Sequence, residues 1–223
     1  MKIYFISGVG ADRRIFKNIE LPEGYTAVHL DWIPPLKNES LQSYALRLAE
    51  KIDTKEPFAL AGLSFGGMLA NEIARKYPPV CVYLISSIPS SVNMPPYFRL
   101  AGKLGLEKLV PVTILKSASL LKRLFTAETK EEKKFLREAI RKADASFIRW
   151  SLTTIVNWHQ KESPKCFIHI HGSRDFILPL RFSGATHVIK GEGHLMVLTK
   201  GKEIGEIIGK HLLKIAPQAS IKN

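Results

Sequence analysis

The chain has 223 residues, a formal net charge of +13 and a hydrophobic fraction of 45%. This length fits one domain with or without an insertion, and the composition excludes a low-complexity or disordered chain. No run approaches the roughly 18 apolar residues of a membrane span, and the start, MKIYFISG, is too short for a signal peptide. We therefore expect a cytoplasmic protein without a membrane span.

The excess of Lys and Arg favours anionic partners, but it does not by itself predict nucleic-acid binding. No helix-turn-helix, zinc-finger or aromatic-rich RNA-binding signature accompanies the charge, so no nucleic-acid partner is expected. The two cysteines, Cys81 and Cys166, each lie in an apolar run. We interpret them as buried thiols rather than as a disulfide or a metal site. The sequence leaves the oligomeric state open.

Strand-like apolar runs alternate with helix-like segments along most of the chain. Strands are predicted at 2–7, 26–32, 58–63, 80–86, 166–172 and 186–191. Helices are predicted at 13–21, 40–52, 65–76 and 202–213. Such apolar strands, alternating with helices, indicate a mostly parallel sheet covered on both faces and built by right-handed crossovers. The predicted fold class is α/β, with about six strands flanked by helices.

A long helical segment interrupts this alternation at residues 94–163. Phe135, Phe147 and Trp150 supply apolar positions at helical spacing, and residues 95–163 hold 14 Lys and Arg against 7 Asp and Glu. We predict that residues 94–163, called the cap segment below, form a helical cap inserted into a core of residues 1–93 and 164–223.

The sequence Gly62-Leu63-Ser64-Phe65-Gly66 lies between the predicted third strand and the helix that follows it. This Gly-x-Ser-x-Gly pattern is typical of a nucleophile elbow, in which a serine lies at the apex of a sharp turn flanked by small residues. The start of the helix offers unpaired N–H groups to a developing negative charge. The simpler alternative is a tight glycine turn without chemistry.

A nucleophilic serine needs a base, and the base needs an acid that orients it. In folds with this elbow the acid and then the histidine follow later strands. Asp175 follows the fifth predicted strand within HGSRD, and His194 follows the sixth within GEGH. The other usual place for the acid, after the fourth strand, holds no carboxylate. The sequence therefore predicts Ser64, Asp175 and His194 as a catalytic triad.

The remaining histidines favour structural roles. The sharpest alternative is metal chemistry at His169-Ile-His171, but the zinc-hydrolase pattern needs Asp where Ser173 stands, and no metal site is predicted. A phosphate-binding loop is disfavoured because no Gly-Lys-Ser or Gly-Lys-Thr ends the glycine stretch.

The oxyanion formed at an attacked carbonyl needs two backbone donors. The predicted donors are the N–H of Phe65, which follows the nucleophile, and the N–H of Val9 in the glycine-containing loop after the first strand. Asp12 is predicted to cap the next helix.

The elbow, HGSRD and GEGH together resemble the α/β-hydrolase superfamily, and in particular its small capped serine esterases, including pimeloyl-carrier methyl-ester hydrolases and menaquinone-pathway hydrolases. The resemblance implies an α/β-hydrolase fold, here without the first two strands of the family, and ester or thioester hydrolysis without a cofactor. The chain departs from the family at Ser7-Gly8, where a His-Gly pair often opens the oxyanion loop.

The expected reaction is cleavage of a small-molecule acyl ester or thioester through an acyl-Ser64 intermediate, with anionic and carrier-linked substrates left open. Aromatic residues of the cap segment, Tyr97, Phe98, Trp150 and Trp158, are candidates for the substrate pocket. Two other functions stay open at this point. One is a lyase using the same triad, and the other is a ligand-sensing protein with a slow hydrolase site.

Overall fold

The computed structural model describes residues 1–106 and 129–215, and only the backbone of Ile140. Within these residues six strands form one sheet: β1 Lys2–Ile6, β2 Thr26–His29, β3 Phe58–Leu63, β4 Val82–Ile85, β5 Phe167–Gly172 and β6 His187–Ile189. Their order is β2-β1-β3-β4-β5-β6, and all neighbours run parallel. The predicted parallel α/β sheet is confirmed.

The helices described are α1 Leu41–Ala49, α2 Phe65–Lys76, α3 Pro96–Leu104, α4 Lys130–Lys142, α5 Ala145–Val156, α6 Leu180–Ser183, α7 Met196–Thr199 and α8 Gly201–Ile215. Two short 3-10 helices lie at Arg13–Phe16 and Ser91–Asn93. The helix predicted over 13–21 is thus reduced to a single 3-10 segment, and Asp12 caps it by accepting from the Arg14 N–H.

The central strand, β3, shows why the sheet is covered on both faces. All six of its residues are buried. Phe58 and Leu60 pack in the cluster that includes α1 and α2, while Ala59, Ala61 and Leu63 pack in the cluster that includes α8. A strand with two buried faces reads as a continuous apolar run, which is how FALAGL appears in the sequence.

The chain between β4 and β5 contains α3, α4 and α5. A capping box begins α4, because Thr129 Oγ1 accepts from the Glu132 N–H and Glu132 Oε2 accepts from the Thr129 N–H. Gly102 in α3 lies so close to Val156 in α5 that an added Cβ there would contact it. Part of the predicted cap segment, 107–128, lies outside the described residues, and the cap boundaries stay a prediction. None of the helices described is long and apolar enough to cross a membrane.

Candidate active site

Ser64 joins the end of β3 to the start of α2 with an unusual backbone conformation. Its φ is 52° and its ψ is −117°, although it carries a side chain. Its N–H donates to the Ile85 carbonyl at 2.9 Å, and its carbonyl accepts from Ser87 Oγ at 2.6 Å. A conformation of this kind costs about 1–3 kcal/mol and persists only where the surroundings enforce it.

The glycines beside Ser64 are required by close packing. A Cβ on Gly62 would overlap the backbone of Gly66 and Gly67, and a Cβ on Gly66 would overlap the Ile6 carbonyl. Because no flexible side chain can move aside there, any larger residue displaces the backbone of the turn. The turn thus lies directly against β1, next to the loop that contains Gly8 and Val9.

Asp175 and His194 are brought together by two loops that pack closely. The Arg174 N–H donates to the Glu192 carbonyl at 2.8 Å, and Gly172 leaves no room for a Cβ against the backbone of Glu192 and Gly193. His194 Nδ1 then lies 2.7 Å from Asp175 Oδ2, and both residues are 2% exposed. The carboxylate accepts the proton of Nδ1, so Nε2 is the nitrogen of this ring with the lone pair of a base.

The environment of Asp175 keeps its carboxyl group ionised. Burial acts to raise the pKa of Asp175, but interactions with His194 and His171 act in the opposite direction. Asp175 Oδ1 also accepts from the N–H groups of Ile177 and Leu178, each at 2.9 Å. The stabilising contacts outweigh burial, and the pKa of Asp175 lies below its ordinary value.

A second buried histidine contacts the same carboxylate. His171 Nε2 lies 3.3 Å from Asp175 Oδ2 and 2.7 Å from the Leu178 carbonyl oxygen, and His171 Nδ1 lies 3.1 Å from His169 Nε2. Both histidines are fully buried. Sequence reasoning assigned them only structural roles. Their spacing of two residues on the strand leading to Asp175 was the available signal, since it places both on one face of β5.

The two predicted oxyanion donors belong to elements that meet at Ser64. Phe65 is the first residue of α2, so its N–H has no partner within the helix. Val9 follows Gly8, and Gly8 lies beside Ser64, because a Cβ added to Gly8 would be 3.4 Å from Ser64 Cβ. Val9, Phe65, Ser64 and His194 all line the same cavity. The roles of Val9 and Phe65 as oxyanion donors stay predictions.

This cavity has a volume of about 450 Å³, within the range of small-molecule sites. Its wall is almost entirely apolar, with contributions from the sheet loops, α2 and the cap segment. Representative lining residues are Val9, Met68, Phe98, Leu136, Leu152 and Ile177. Among the described residues that line it there is no Lys, Arg, Asp or Glu.

The four aromatic candidates of the cap segment separate into two pairs. Tyr97 and Phe98 line the cavity, and the Tyr97 hydroxyl donates to the Ile177 carbonyl at 3.1 Å. Trp150 and Trp158 lie outside the cavity wall. Trp150 Nε1 donates to the Glu39 carbonyl at 2.8 Å, and Trp158 Nε1 donates to Glu72 Oε1 at 2.7 Å. Each indole is thus oriented toward a buried acceptor in the core and not toward the cavity. Phe135 and Leu136 of α4, which were not among the four candidates, line the cavity.

A model of the alpha/beta hydrolase family matches residues 3–206 of this chain, which include Ser64, Asp175 and His194. The chain belongs to the alpha/beta hydrolase family. It is therefore a hydrolase, and the fold expected from the elbow and from HGSRD and GEGH is confirmed. No curated protein matches the sequence.

Solved structures give the same fold at low sequence identity. MenH from S. aureus superposes with a TM-score of 0.77 at 15% identity, covering 97% of this chain and 95% of its own. A thermophilic esterase from Thermogutta terrifontis gives 0.74 at 17%, with 97% and 91% coverage. The esterase EaEST from Exiguobacterium antarcticum gives 0.69 at 15%, with 96% and 92% coverage. At these identities the likeness establishes the fold of the hydrolase and not its substrate.

Proposed function

We propose that this hydrolase cleaves carboxylic esters or thioesters of uncharged, apolar acyl groups through an acyl-Ser64 intermediate. The observation that carries the proposal is the buried 2.7 Å contact between His194 and Asp175 at a cavity that Ser64 also lines. Esterases among the structural relatives agree with this chemistry.

In the proposed reaction His194 Nε2 removes the Ser64 hydroxyl proton as Oγ attacks the acyl carbon. The N–H groups of Val9 and Phe65 stabilise the oxyanion, and each such donor contributes about 3–4 kcal/mol in enzymes where it has been removed. The imidazolium returns its proton to the leaving alcohol or thiol. Water, deprotonated by His194, then attacks the acyl-serine and releases the acid. Asp175 stabilises the imidazolium in both steps.

The wall of the cavity supports an uncharged acyl group. An unpaired carboxylate buried against apolar side chains costs several kcal/mol, and the described wall offers no Lys or Arg to pair with it. An alkyl chain of several carbons instead gains about 0.8 kcal/mol for each methylene removed from water. We expect hexanoyl and octanoyl esters to exceed the acetyl ester in kcat/KM, and half-esters of dicarboxylic acids to react much more slowly.

The first experiment compares wild-type protein with Ser64→Ala, using p-nitrophenyl hexanoate and a fluorophosphonate probe. The variant should lose hydrolysis by more than about 10⁴-fold and should not be labelled, because no other nucleophile replaces Oγ. Mass spectrometry of a rapidly quenched reaction should show the hexanoyl group on Ser64. Undiminished turnover in the variant would rule out the acyl-serine mechanism.

A second experiment tests the acyl site. Leu136→Trp fills part of the cavity and should depress kcat/KM for octanoyl more than for acetyl esters, whereas Leu213→Trp changes an exposed residue of α8 and serves as the control. The panel includes thioester and carrier-linked forms of one acyl group, because α4 exposes Lys130, Lys134 and Arg137 to solvent. Equal rates for charged and uncharged acyl groups would contradict the proposed specificity.

A further inference from the structure

Asp175 Oδ2 is the meeting point of two imidazole rings rather than one. His194 Nδ1 approaches it at 2.7 Å and His171 Nε2 at 3.3 Å. The other carboxylate oxygen, Oδ1, accepts two backbone N–H groups. Three hydrogen-bond donors thus bind the carboxylate, and His171 Nε2 is a further polar neighbour whose proton is directed at the Leu178 carbonyl.

The hydrogen bonds also determine where the protons of the two inner histidines lie. The Leu178 carbonyl can only accept, so His171 Nε2 carries a proton. In a neutral His171 ring Nδ1 is then an acceptor, and His169 Nε2 must donate to it. His169 Nδ1 is left unprotonated, and it has no hydrogen-bond partner in the part of the chain described here. Burial lowers the pKa of both histidines, to about 3 for His169, which agrees with two neutral rings.

We propose that His171 is a positioning residue of the active site: its Nε2–H binds the Leu178 carbonyl and so fixes the loop whose N–H groups hold the Asp175 carboxylate that orients His194. This proposal rests on the proposed function, because it assigns His171 a role in the same reaction. The groups that face His171 in the described residues are His169, Asp175 and His194. Without the Nε2–H, the carboxylate is less stabilised and attracts the proton on His194 more strongly.

The test compares His171→Leu, which has no donor, with His171→Gln, whose amide can donate toward the Leu178 carbonyl. Loss of the hydrogen bond to this carbonyl should lower kcat of His171→Leu about 10-fold with little change in KM. The acid limb of its kcat/KM profile should move to higher pH. His171→Gln should recover most of kcat and the wild-type acid limb. Fluorophosphonate labelling normalises each rate to the folded, reactive fraction.

An unchanged acid limb in His171→Leu, or equal losses in both variants, would overturn the positioning role. If neither variant folds, ¹⁵N-histidine NMR of the wild-type protein decides, because His169 and His171 should both appear as Nε2–H tautomers and His169 should not titrate between pH 5 and 9. A different tautomer or a titration in that range would overturn the proposal. Activity remaining in Ser64→Ala refutes the acyl-serine mechanism instead, so the two failures are distinguishable.

A second, independent observation concerns the two cysteines, which lie at the amino ends of the strands, whereas Ser64 lies at the carboxyl ends. Cys81 precedes β4 and Cys166 precedes β5, and their Sγ atoms lie 2.8 Å apart. His211 of α8 offers a ring nitrogen within 4.8 Å of both sulfur atoms. Cys81 is fully buried, whereas Cys166 is partly exposed. Cys166 is therefore the thiol that a reagent in solution reaches first.

We infer that Cys81 and Cys166 are a site of reversible disulfide formation with small disulfides such as oxidised glutathione. The Cys166 thiolate attacks one sulfur of the reagent and releases one thiolate. His211 Nδ1 lies 2.9 Å from the Tyr83 hydroxyl, so the thiolate released from the reagent accepts the Cys81 proton. Cys81 sulfur then attacks Cys166 sulfur and displaces the second thiolate. Two thiols are oxidised and one reagent disulfide is reduced.

Non-reducing peptide mapping after treatment with oxidised glutathione should join the peptides of Cys81 and Cys166, with a loss of 2 Da that dithiothreitol reverses. Cys81→Ser should stop at the mixed disulfide on Cys166. A stable mixed disulfide in wild-type protein, or no reaction under conditions that oxidise a model dithiol, would overturn the assignment. Stoichiometric zinc in protein purified without chelator would overturn it in favour of a metal site.

Discussion

Two sides of the cavity are held in place by different forces: the side formed by the sheet loops, called the floor, and the side formed by the cap segment, called the roof. The floor carries Ser64, Asp175 and His194 on sheet loops that are fixed by buried hydrogen bonds and by glycines in close contact. The roof includes α4, which faces the cavity with Phe135 and Leu136. Beyond that apolar contact, α4 is joined to the loop after β1 by two exposed ion pairs, Arg14–Glu138 at 2.7 Å and Lys17–Glu131 at 2.8 Å.

Buried polar contacts thus hold the loops that carry Ser64, Asp175 and His194, whereas apolar packing and exposed ion pairs hold α4. Buried polar contacts leave a large penalty when one partner is removed. Exposed ion pairs contribute about 0–1 kcal/mol and weaken further in salt. Three predictions test the contrast, beginning with the floor.

Gly66→Ala should abolish activity and strongly destabilise the fold. The added Cβ would overlap backbone atoms of Ile6 and Ser7, and neither can rotate away. Thermal unfolding and fluorophosphonate labelling measure the two effects. Gly105→Ala is the matched control, because a Cβ there meets nothing within 4 Å and only its φ of 62° opposes the change, at about 1–2 kcal/mol. If Gly66→Ala were as mild as the control, the turn would not require close contact.

The buried histidines should make the protein less stable in mild acid. The unfolded chain binds a proton at His169 below about pH 6.5, while the folded protein does so only near pH 3. The unfolded state therefore holds more protons in that interval, and the free energy of unfolding falls as the pH falls. Between pH 7 and 5 this one group should remove about 2 kcal/mol.

Urea unfolding at pH 7 and pH 5 measures this effect, with His169→Gln as the comparison because its amide does not titrate. Wild-type protein should lose more stability over the interval than the variant does. His171 acts in the same direction in both proteins, since its pKa is also lowered by burial. Equal losses would show that His169 is not held neutral in the folded protein.

Breaking an ion pair of the roof should have the smallest effect. Glu138→Gln removes the acceptor of Arg14 and should change the free energy of unfolding by less than about 1 kcal/mol. KM for p-nitrophenyl hexanoate should change more than kcat, and 1 M NaCl should bring wild-type KM close to that of the variant. Lys2→Gln breaks the exposed pair with Asp53, away from the cavity wall, and should leave KM unaltered. A loss of kcat in Glu138→Gln like that expected for His171→Leu would contradict the contrast between floor and roof.

Local patterns were sufficient to predict the fold and to nominate Ser64, Asp175 and His194. The strands appear as apolar runs because both faces of the sheet are covered, and the elbow appears as glycines because backbone atoms touch there. The order of serine, acid and histidine follows from loops at the carboxyl ends of parallel strands. The strands and the elbow depend on residues close together in the chain, so their patterns can be recognised in the sequence.

Contacts between distant segments required the tertiary structure. Trp150 and Trp158 are aromatic residues of the cap segment like Phe135, but only the tertiary packing decides which of them reach the cavity. The sequence places His169 and His171 on one face of β5, but only the structure shows that this face leads to Asp175. A sequence specifies which side chains share a face of one element, whereas the partner of that face depends on how whole elements pack. The pattern of apolar runs and glycines along the chain therefore determined its class, and three-dimensional packing decided which groups surround Ser64.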